Sequence, residues 1–317
     1  MPLTDKRPVL IIAADMTPAN YARLEEHFTC LSARTEEERF EIARTRGAEI
    51  DGIVMNGNIA IPGSLIDLLP NLSIISAQGV GYEGIDLPAA RARNLALSHG
   101  PGTNADTVAD HALALMLAVL REIPNNDALV RAGRWRDFRV LHPMATGKTV
   151  GILGMGDIGS RIAKRCAGFD MVIAYHNRRE KPGTPYRYVA SVEQLAAEVD
   201  VLIDVLPGGA ATRHIVDAGV LAALGPQGIL VNIGRGVTVD TEALMDALEN
   251  GTILGAGLDV VESEPNLPAR LKALRNVVLT PHIGGLSPEA TLNANRMLIA
   301  NLRAHFAGRP LETPIPA

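Results

Sequence analysis

Residues 149–165, TVGILGMGDIGSRIAKR, constrain the possible fold more than any other stretch of the chain. Val150, Gly151, Ile152 and Leu153 form a short apolar run suited to a buried strand. Gly154, Gly156 and Gly159 follow at G-x-G-x-x-G spacing, and Ile158, Ile162 and Ala163 continue at helical spacing. Strand, glycine turn and helix in this order make a dinucleotide-binding fingerprint. Gly154 permits the tight turn, Gly156 presents no Cβ to a pyrophosphate, and Gly159 lets the helix pack against the strand. The first helical N–H groups, including those of Asp157 and Ile158, then face the phosphate anion.

The fingerprint begins near the middle of a 317-residue chain, which is long enough for two domains. Before it, apolar runs at 9–14, 53–55, 72–76 and 95–98 alternate with helix-like segments at 64–69 and 87–93. Thr17-Pro18 looks like a cap followed by a first-turn proline, opening a helix toward Phe28. His99-Gly100-Pro101-Gly102 marks a crossing into a long apolar helix over 105–121 and a second helix over 125–134. After the fingerprint, strands are expected at 171–175, 201–205, 229–233, 254–258 and 277–280. Ser191 to Gln194 reads as a capping box, Asp240 or Thr241 as a cap, and Ser287-Pro288 as the start of a last helix to Phe306. The alternation predicts an α/β chain with two doubly wound parallel-sheet domains, one flavodoxin-like and one Rossmann, and a cleft between them. The expected boundaries are 1–99 with 287–317 for a discontinuous substrate domain and 100–286 for the dinucleotide domain.

A net charge of −5 and the absence of any long basic block argue against nucleic acid or an anionic membrane as partner. Only Cys30 and Cys166 occur, far apart and without metal-ligand spacing, so neither a disulfide nor a metal site is expected. The apolar run at 9–14 ends at Asp15, too short for a signal-peptide core, and the most apolar helix is shorter than a membrane span. A cytoplasmic protein is the expectation.

Rossmann folds that bind NAD usually carry Asp or Glu after the second strand, where it accepts from the ribose 2′-OH. Here that strand reads MVIAYHNRR, and the position holds Asn177, followed by Arg178 and Arg179. A carboxylate would repel a 2′-phosphate, whereas an amide and two guanidiniums attract one. NADPH is therefore the expected cofactor, with NADH still possible.

Three further segments carry chemistry. GILVNIGRGVTVD places Arg235 between Gly234 and Gly236 after a strand; GAGLDVVESEP carries Asp259, Glu262 and Glu264; NVVLTPHIGG carries His282 just past a strand end. Arginine, glutamate and histidine at the carboxyl ends of strands suit a crevice site in an open sheet. With the fingerprint, SAQGVGYEGIDL and TVADHALALMLAVLR, these segments resemble the D-2-hydroxyacid dehydrogenases over essentially the whole chain. Within that family the chain looks most like the glyoxylate and hydroxypyruvate reductases, including hydroxyphenylpyruvate-type reductases.

The resemblance implies NADPH-dependent reduction of a small 2-keto acid, such as glyoxylate or hydroxypyruvate, to the D-2-hydroxy acid. It makes Arg235 the substrate-orienting residue, His282 the acid/base and Glu264 its partner, whose negative charge favours a protonated imidazole. Asp259 falls near the nicotinamide, and Leu206, Pro207, Ile233, Gly234, Gly284 and Gly285 join the cofactor-binding positions. Val80 and Gly81 match the loop whose N–H groups receive the substrate carboxylate, and residues 55–58, with Asn56 and Gly57, form a second wall. Glu83 departs from the Asp or Asn often found there. Glu262 is expected to be structural or solvated, His111 a packed structural residue, His176 solvent-facing, and Trp135 and the methionines core or interface. A homodimer is implied, with the helix from Ala105 as contact and residues 136–144 reaching the partner; glycine hinges are expected at Gly100 and Gly284-Gly285. Alternatives are another enzyme of the family, such as 3-phosphoglycerate dehydrogenase, and a dinucleotide-sensing, corepressor-like protein. Formate-oxidising relatives carry glutamine where Glu264 stands, which sets them aside.

Overall fold

Val9, Leu10, Ile11 and Ile12 are all buried, and a strand with no polar face belongs inside a parallel sheet covered on both sides. The computed structural model describes residues 7–57, 59–135 and 140–316. It divides into two units, Met1–Asn104 with Leu286–Ala317, and Ala105–Gly285.

The first unit runs β1 (Val9–Ile12), α1 (Pro18–Glu25), β2 (Thr29–Ser32), α2 (Glu36–Arg46), β3 (Gly52–Met55), α3 (Gly63–Asp67), β4 (Ile74–Ala77), α4 (Leu87–Ala92) and β5 (Ala96–Ser98). Its five strands lie parallel in the order β2-β1-β3-β4-β5, the flavodoxin-like arrangement. Alternation along β1 sends Ile11 to one face, with Ile53, Ile75 and Leu65, and Leu10 and Ile12 to the other, with Leu24 and Ile74. Each such side chain contributes about 1.5–3 kcal/mol on burial, so both faces need a helical cover.

The second unit begins with α5 (Ala105–Leu120) and α6 (Ile123–Arg131). It continues with β6 (Thr149–Leu153), α7 (Asp157–Ala167), β7 (Val172–His176), β8 (Arg187–Tyr188), α8 (Val192–Ala197), β9 (Val201–Asp204) and α9 (Ala218–Leu224). It closes with β10 (Ile229–Asn232), α10 (Thr241–Glu249), β11 (Gly255–Leu258), α11 (Ala269–Ala273) and β12 (Val277–Leu279). All seven strands are parallel, in the order β12-β11-β10-β9-β6-β7-β8. The order reverses between β6 and β9, and that switch point opens a crevice at their carboxyl ends. α12 (Pro288–Phe306), capped by Ser287, then returns to the first unit and places Leu298 and Leu302 in its core.

One expectation changes here and another narrows. The long apolar helix α5 is not an unshared surface: Val108, Ala109, Ala112, Leu115, Met116 and Val119 are buried in a core that contains Val150, Ile152, Ile203 and Val231. Exposed apolar residues of this unit gather further on, at Ile123, Val130, Trp135, Val140, Leu141 and Met144, with Phe169, Val172 and Ile283 elsewhere on it. Trp135, expected in core or interface, is 68% exposed, which excludes the core. Residues 136–139 of the expected partner-reaching segment lie outside the described residues.

β2 and α2 carry little apolar signal. β2 is an edge strand with no buried residue, and α2 buries only Arg39 and Ala43. What starts α2 is a capping box, in which the Thr35 side chain accepts from Glu38 N–H and the Glu38 side chain accepts from Thr35 N–H.

Candidate active site

The glycine turn after β6 is built on backbone demands. Gly154 sits at φ 102°, a conformation side chains avoid. A Cβ on Gly159 would lie 2.1 Å from the Gly154 carbonyl oxygen, so only glycine lets α7 start this close to the strand. A Cβ on Gly156 would meet nothing within 4 Å, and no side chain caps α7 there. Open space at Gly156 and an uncapped helix N-terminus beside it fit the pyrophosphate of a dinucleotide.

Two residues beyond β7 hold this turn at Met155. Asn177 Oδ1 accepts from Met155 N–H at 2.7 Å, and Lys181 Nζ donates to the Met155 carbonyl at 3.0 Å and to Ser160 Oγ at 3.1 Å. Lys181 carried no sequence motif; Tyr175 OH, which accepts from its N–H, turns the chain so that it reaches back. Arg178 and Arg179 are exposed. His176 does not simply face solvent: its Nδ1 donates to the Val189 carbonyl at 2.9 Å and its ring stacks on Tyr188.

Leu206-Pro207 follows β9, and Ile233-Gly234 and Arg235 follow β10. A Cβ on Gly234 would lie 2.6 Å from the Leu206 carbonyl oxygen, and one on Gly236 would lie 2.1 Å from the Val261 carbonyl carbon. The glycines flanking Arg235 thus let its loop press against neighbours on both sides, including the segment leading to Glu264. The Arg235 carbonyl accepts from Asn232 Nδ2 at 3.1 Å and from Thr238 Oγ1 at 2.6 Å. Thr238 Oγ1 also contacts the fully buried Asp204 carboxyl, whose other oxygen accepts from Leu206 N–H at 2.9 Å. Burial pushes Asp204 up to about 6, against the Thr238 and Leu206 hydrogen bonds. Asp204 was detectable only as a lone acid ending an apolar strand.

His282 Nδ1 lies 2.9 Å from Glu264 Oε1, with both side chains partly exposed. His282 has a left-handed backbone, φ 55°, and its N–H donates to the Asp259 carbonyl at 2.9 Å. The Asp259 carboxylate is buried and takes Thr280 Oγ1 at 2.6 Å, Ile283 N–H at 2.9 Å and Gly284 N–H at 2.8 Å, with His111 Nε2 3.3 Å away. Burial alone would raise this carboxyl, but hydrogen bonds from His111, Thr280, Gly284 and Ile283 outweigh it and bring it to about 2. A Cβ on Gly284 would lie 2.8 Å from Asp259 Oδ2, so close approach explains that glycine. Glu262 is held apart, by Arg213 at 2.6 Å and His214 at 2.9 Å, as a structural ion pair.

In the first unit, Asn56-Gly57 follows β3 and Val80-Gly81 follows the adjacent β4. The two loops touch: a Cβ on Gly57 would lie 2.8 Å from the Gly81 carbonyl carbon, and Gly84 N–H donates to the Gly57 carbonyl at 2.8 Å. His99, expected only as the start of the crossing at His99-Gly100-Pro101-Gly102, donates from Nδ1 to the Val80 carbonyl at 3.0 Å and packs edge-on against Tyr82. Asn58, the end of the expected second wall, lies outside the described residues.

Residues 113–284 match the family model for the D-isomer specific 2-hydroxyacid dehydrogenase, NAD binding domain. The chain is 40% identical over 294 residues to a hydroxyphenylpyruvate reductase of Plectranthus scutellarioides, covering 92% of this chain and 94% of that one. The same figures hold for the glyoxylate/hydroxypyruvate reductase A HPR2 of Arabidopsis thaliana. Among solved structures, the NADPH-dependent glyoxylate/hydroxypyruvate reductase of Sinorhizobium meliloti, in complex with NADP and malonate, superposes with a TM-score of 0.87 at 38% identity, covering 98% of this chain and 97% of that one.

Proposed function

The chain belongs to the D-isomer specific 2-hydroxyacid dehydrogenase family and is an oxidoreductase, and from that premise we propose that it reduces a small 2-keto acid, such as glyoxylate or hydroxypyruvate, to the D-2-hydroxy acid with NADPH as preferred cofactor. The observation that carries the reading is the His282–Glu264 pair, 2.9 Å apart, with His282 on a turn fixed by Asp259.

Reduction needs a hydride on C2 and a proton on the carbonyl oxygen; bound reduced nicotinamide supplies the hydride. His282 donates from Nδ1 to Glu264, which leaves Nε2–H to protonate the carbonyl oxygen as it becomes a hydroxyl. Arg235 forks to the substrate carboxylate and polarises the carbonyl, and the Val80-Gly81 N–H groups hold the carboxylate. The unit Met1–Asn104 with Leu286–Ala317 serves the substrate, and Ala105–Gly285 serves the cofactor.

NADPH preference rests on Asn177 in place of an acid and on the exposed guanidiniums of Arg178 and Arg179. The relatives named for hydroxyphenylpyruvate and for glyoxylate/hydroxypyruvate are equally similar, so all three acids are substrate candidates. We assign a homodimer formed through the exposed apolar set Ile123, Val130, Trp135, Leu141 and Met144, and a cytoplasmic location in keeping with the free thiols of Cys30 and Cys166. No helix among the described residues is long and apolar enough to cross a membrane.

The test follows absorbance of reduced nicotinamide with NADPH and NADH against glyoxylate, hydroxypyruvate and hydroxyphenylpyruvate. Rapid oxidation of NADPH with one of them, and slow oxidation of NADH, is the expected result. Tight NADPH binding with no turnover on any of the three acids would overturn the proposed substrate assignment.

A further inference from the structure

His111 lies on α5, a helix with one face in the apolar core and an exposed face that pairs Asp106 and Asp110 with Arg161 and Arg165, and its ring reaches a separate polar centre. Nε2 sits 2.9 Å from Thr280 Oγ1 and 3.3 Å from Asp259 Oδ1. The Thr280 hydroxyl has one proton, and it donates that to Asp259 Oδ1 at 2.6 Å. Thr280 Oγ1 is therefore the acceptor toward His111, and Nε2 carries the proton. Nothing in an apolar helix face calls for a histidine; a buried donor is retained where it satisfies a particular acceptor.

That acceptor pair governs the loop that carries His282. Asp259 holds residue 282 through its own carbonyl and residues 283 and 284 through its carboxylate. A left-handed conformation at a non-glycine residue is strained and persists only where the surroundings over-determine it. His282 has that conformation, and the Asp259 clamp is the over-determination. His111 also bounds the clamp sterically, since a Cβ on Gly284 would lie 3.2 Å from His111 Cδ2.

We infer that His111 is a positioning residue for the acid/base group: its Nε2–H orients Thr280 and Asp259, and through them the 282–284 turn that aims the His282 imidazole. The inference rests on the reading of His282 given above. Lost positioning acts on the chemical step, whereas the glycine turn after β6, which holds the cofactor phosphates, makes no contact with this cluster among the hydrogen bonds described.

The test compares His111→Gln, His111→Phe and His111→Ala in the full chain. Glutamine can place an amide N–H where Nε2 stands; phenylalanine fills the ring's space without a donor. For Phe and Ala, kcat is expected to fall about 10- to 100-fold, the scale of a small misplacement of a catalytic group. Their NADPH Kd, read by quenching of protein fluorescence, stays within about threefold, and the Gln variant regains most of the lost kcat. If Ala fails to fold, Phe against Gln decides. Equal kcat in Phe and Gln overturns the inference, as does loss of folding in all three, which would make His111 a stability residue only. His282→Ala, run alongside, separates the readings: normal turnover in that variant removes the His282 assignment itself, whatever the His111 variants do.

Discussion

Glu264 accepts from His282 Nδ1 at 2.9 Å, and this single contact decides which imidazole nitrogen is left for the proton transfer proposed above. With Nδ1 committed, Nε2 is the only nitrogen available to a substrate carbonyl. His282→Ala should keep NADPH binding and lose about 10²–10⁴ in kcat, the range for general acid/base catalysis. Glu264→Gln should also lose kcat, while its melting temperature stays near wild type, because the pair is half in solvent and such pairs contribute little stability. Thermal melts and single-turnover rates check both statements; a Glu264→Gln variant that turns over normally would contradict the pairing role.

Asn177 offers a nearly isosteric test of cofactor choice. Its Oδ1 holds Met155 N–H, and aspartate at the same position keeps that acceptor while adding a negative charge. Asn177→Asp should therefore weaken NADPH about tenfold or more and leave NADH little changed, since charge-assisted phosphate contacts are strong and the fold is undisturbed. Arg178→Ala should raise the KM for NADPH far more than that for NADH. Parallel losses for both cofactors in both variants would mean that this loop does not read the 2′-phosphate.

Much of the fold could be read from the sequence because its strongest signals are local. Apolar runs mark the buried strands, Gly154, Gly156 and Gly159 announce the turn, and Ser287-Pro288 starts the last helix where expected. β2 and α2 escaped because an exposed edge strand and a helix of sequence EEERFEIARTR have no apolar stripe. The supports of the candidate site are long-range and leave no periodicity. His111 meets Thr280 across 169 positions, and Thr238 meets Asp204 across 34. Each such residue looks ordinary beside its chain neighbours, so His111 read as a packed structural residue. α5 misled in the other direction, since an apolar helix buried in its own unit and one buried in a dimer have the same sequence pattern.

Lys181 and Arg178 are three positions apart and should behave differently. Lys181 Nζ holds the Met155 carbonyl and Ser160 Oγ, so Lys181→Met loosens the glycine turn itself. In the cofactor mode proposed above both dinucleotides place a pyrophosphate there, and the Kd values for NADPH and NADH should rise together, by about 3- to 30-fold for a lost, solvent-exposed hydrogen bond. Titration of each cofactor by fluorescence distinguishes this from the selective loss expected at Arg178. A selective loss of NADPH alone would move Lys181 from the turn to the 2′-phosphate.

Asp204 links stability to pH in a direction opposite to most carboxylates. Burial raises it in the folded state to about 6, from an ordinary value of 3.8. The folded state therefore binds the proton more tightly than the unfolded state, and stability falls as pH rises through that window. The neutral acid also suits its neighbours: with Asp204 protonated, its hydroxyl donates to Thr238 Oγ1 while Thr238 donates to the Arg235 carbonyl. Ionisation removes one donor from that chain and leaves a charge at a fully buried site. Asp204→Asn keeps a donor toward Thr238 and an acceptor toward Leu206 N–H without the charge. Wild type and variant should have similar stability near pH 4, and the variant should gain an advantage of about 3 kcal/mol by pH 7, most of it between pH 4 and 6. Denaturant unfolding across that range measures the difference; parallel curves would show that Asp204 does not titrate there. Because Thr238 holds the Arg235 carbonyl, the same titration should loosen the Arg235 loop, so the wild-type KM for the keto acid should rise above pH 6 relative to that of Asp204→Asn.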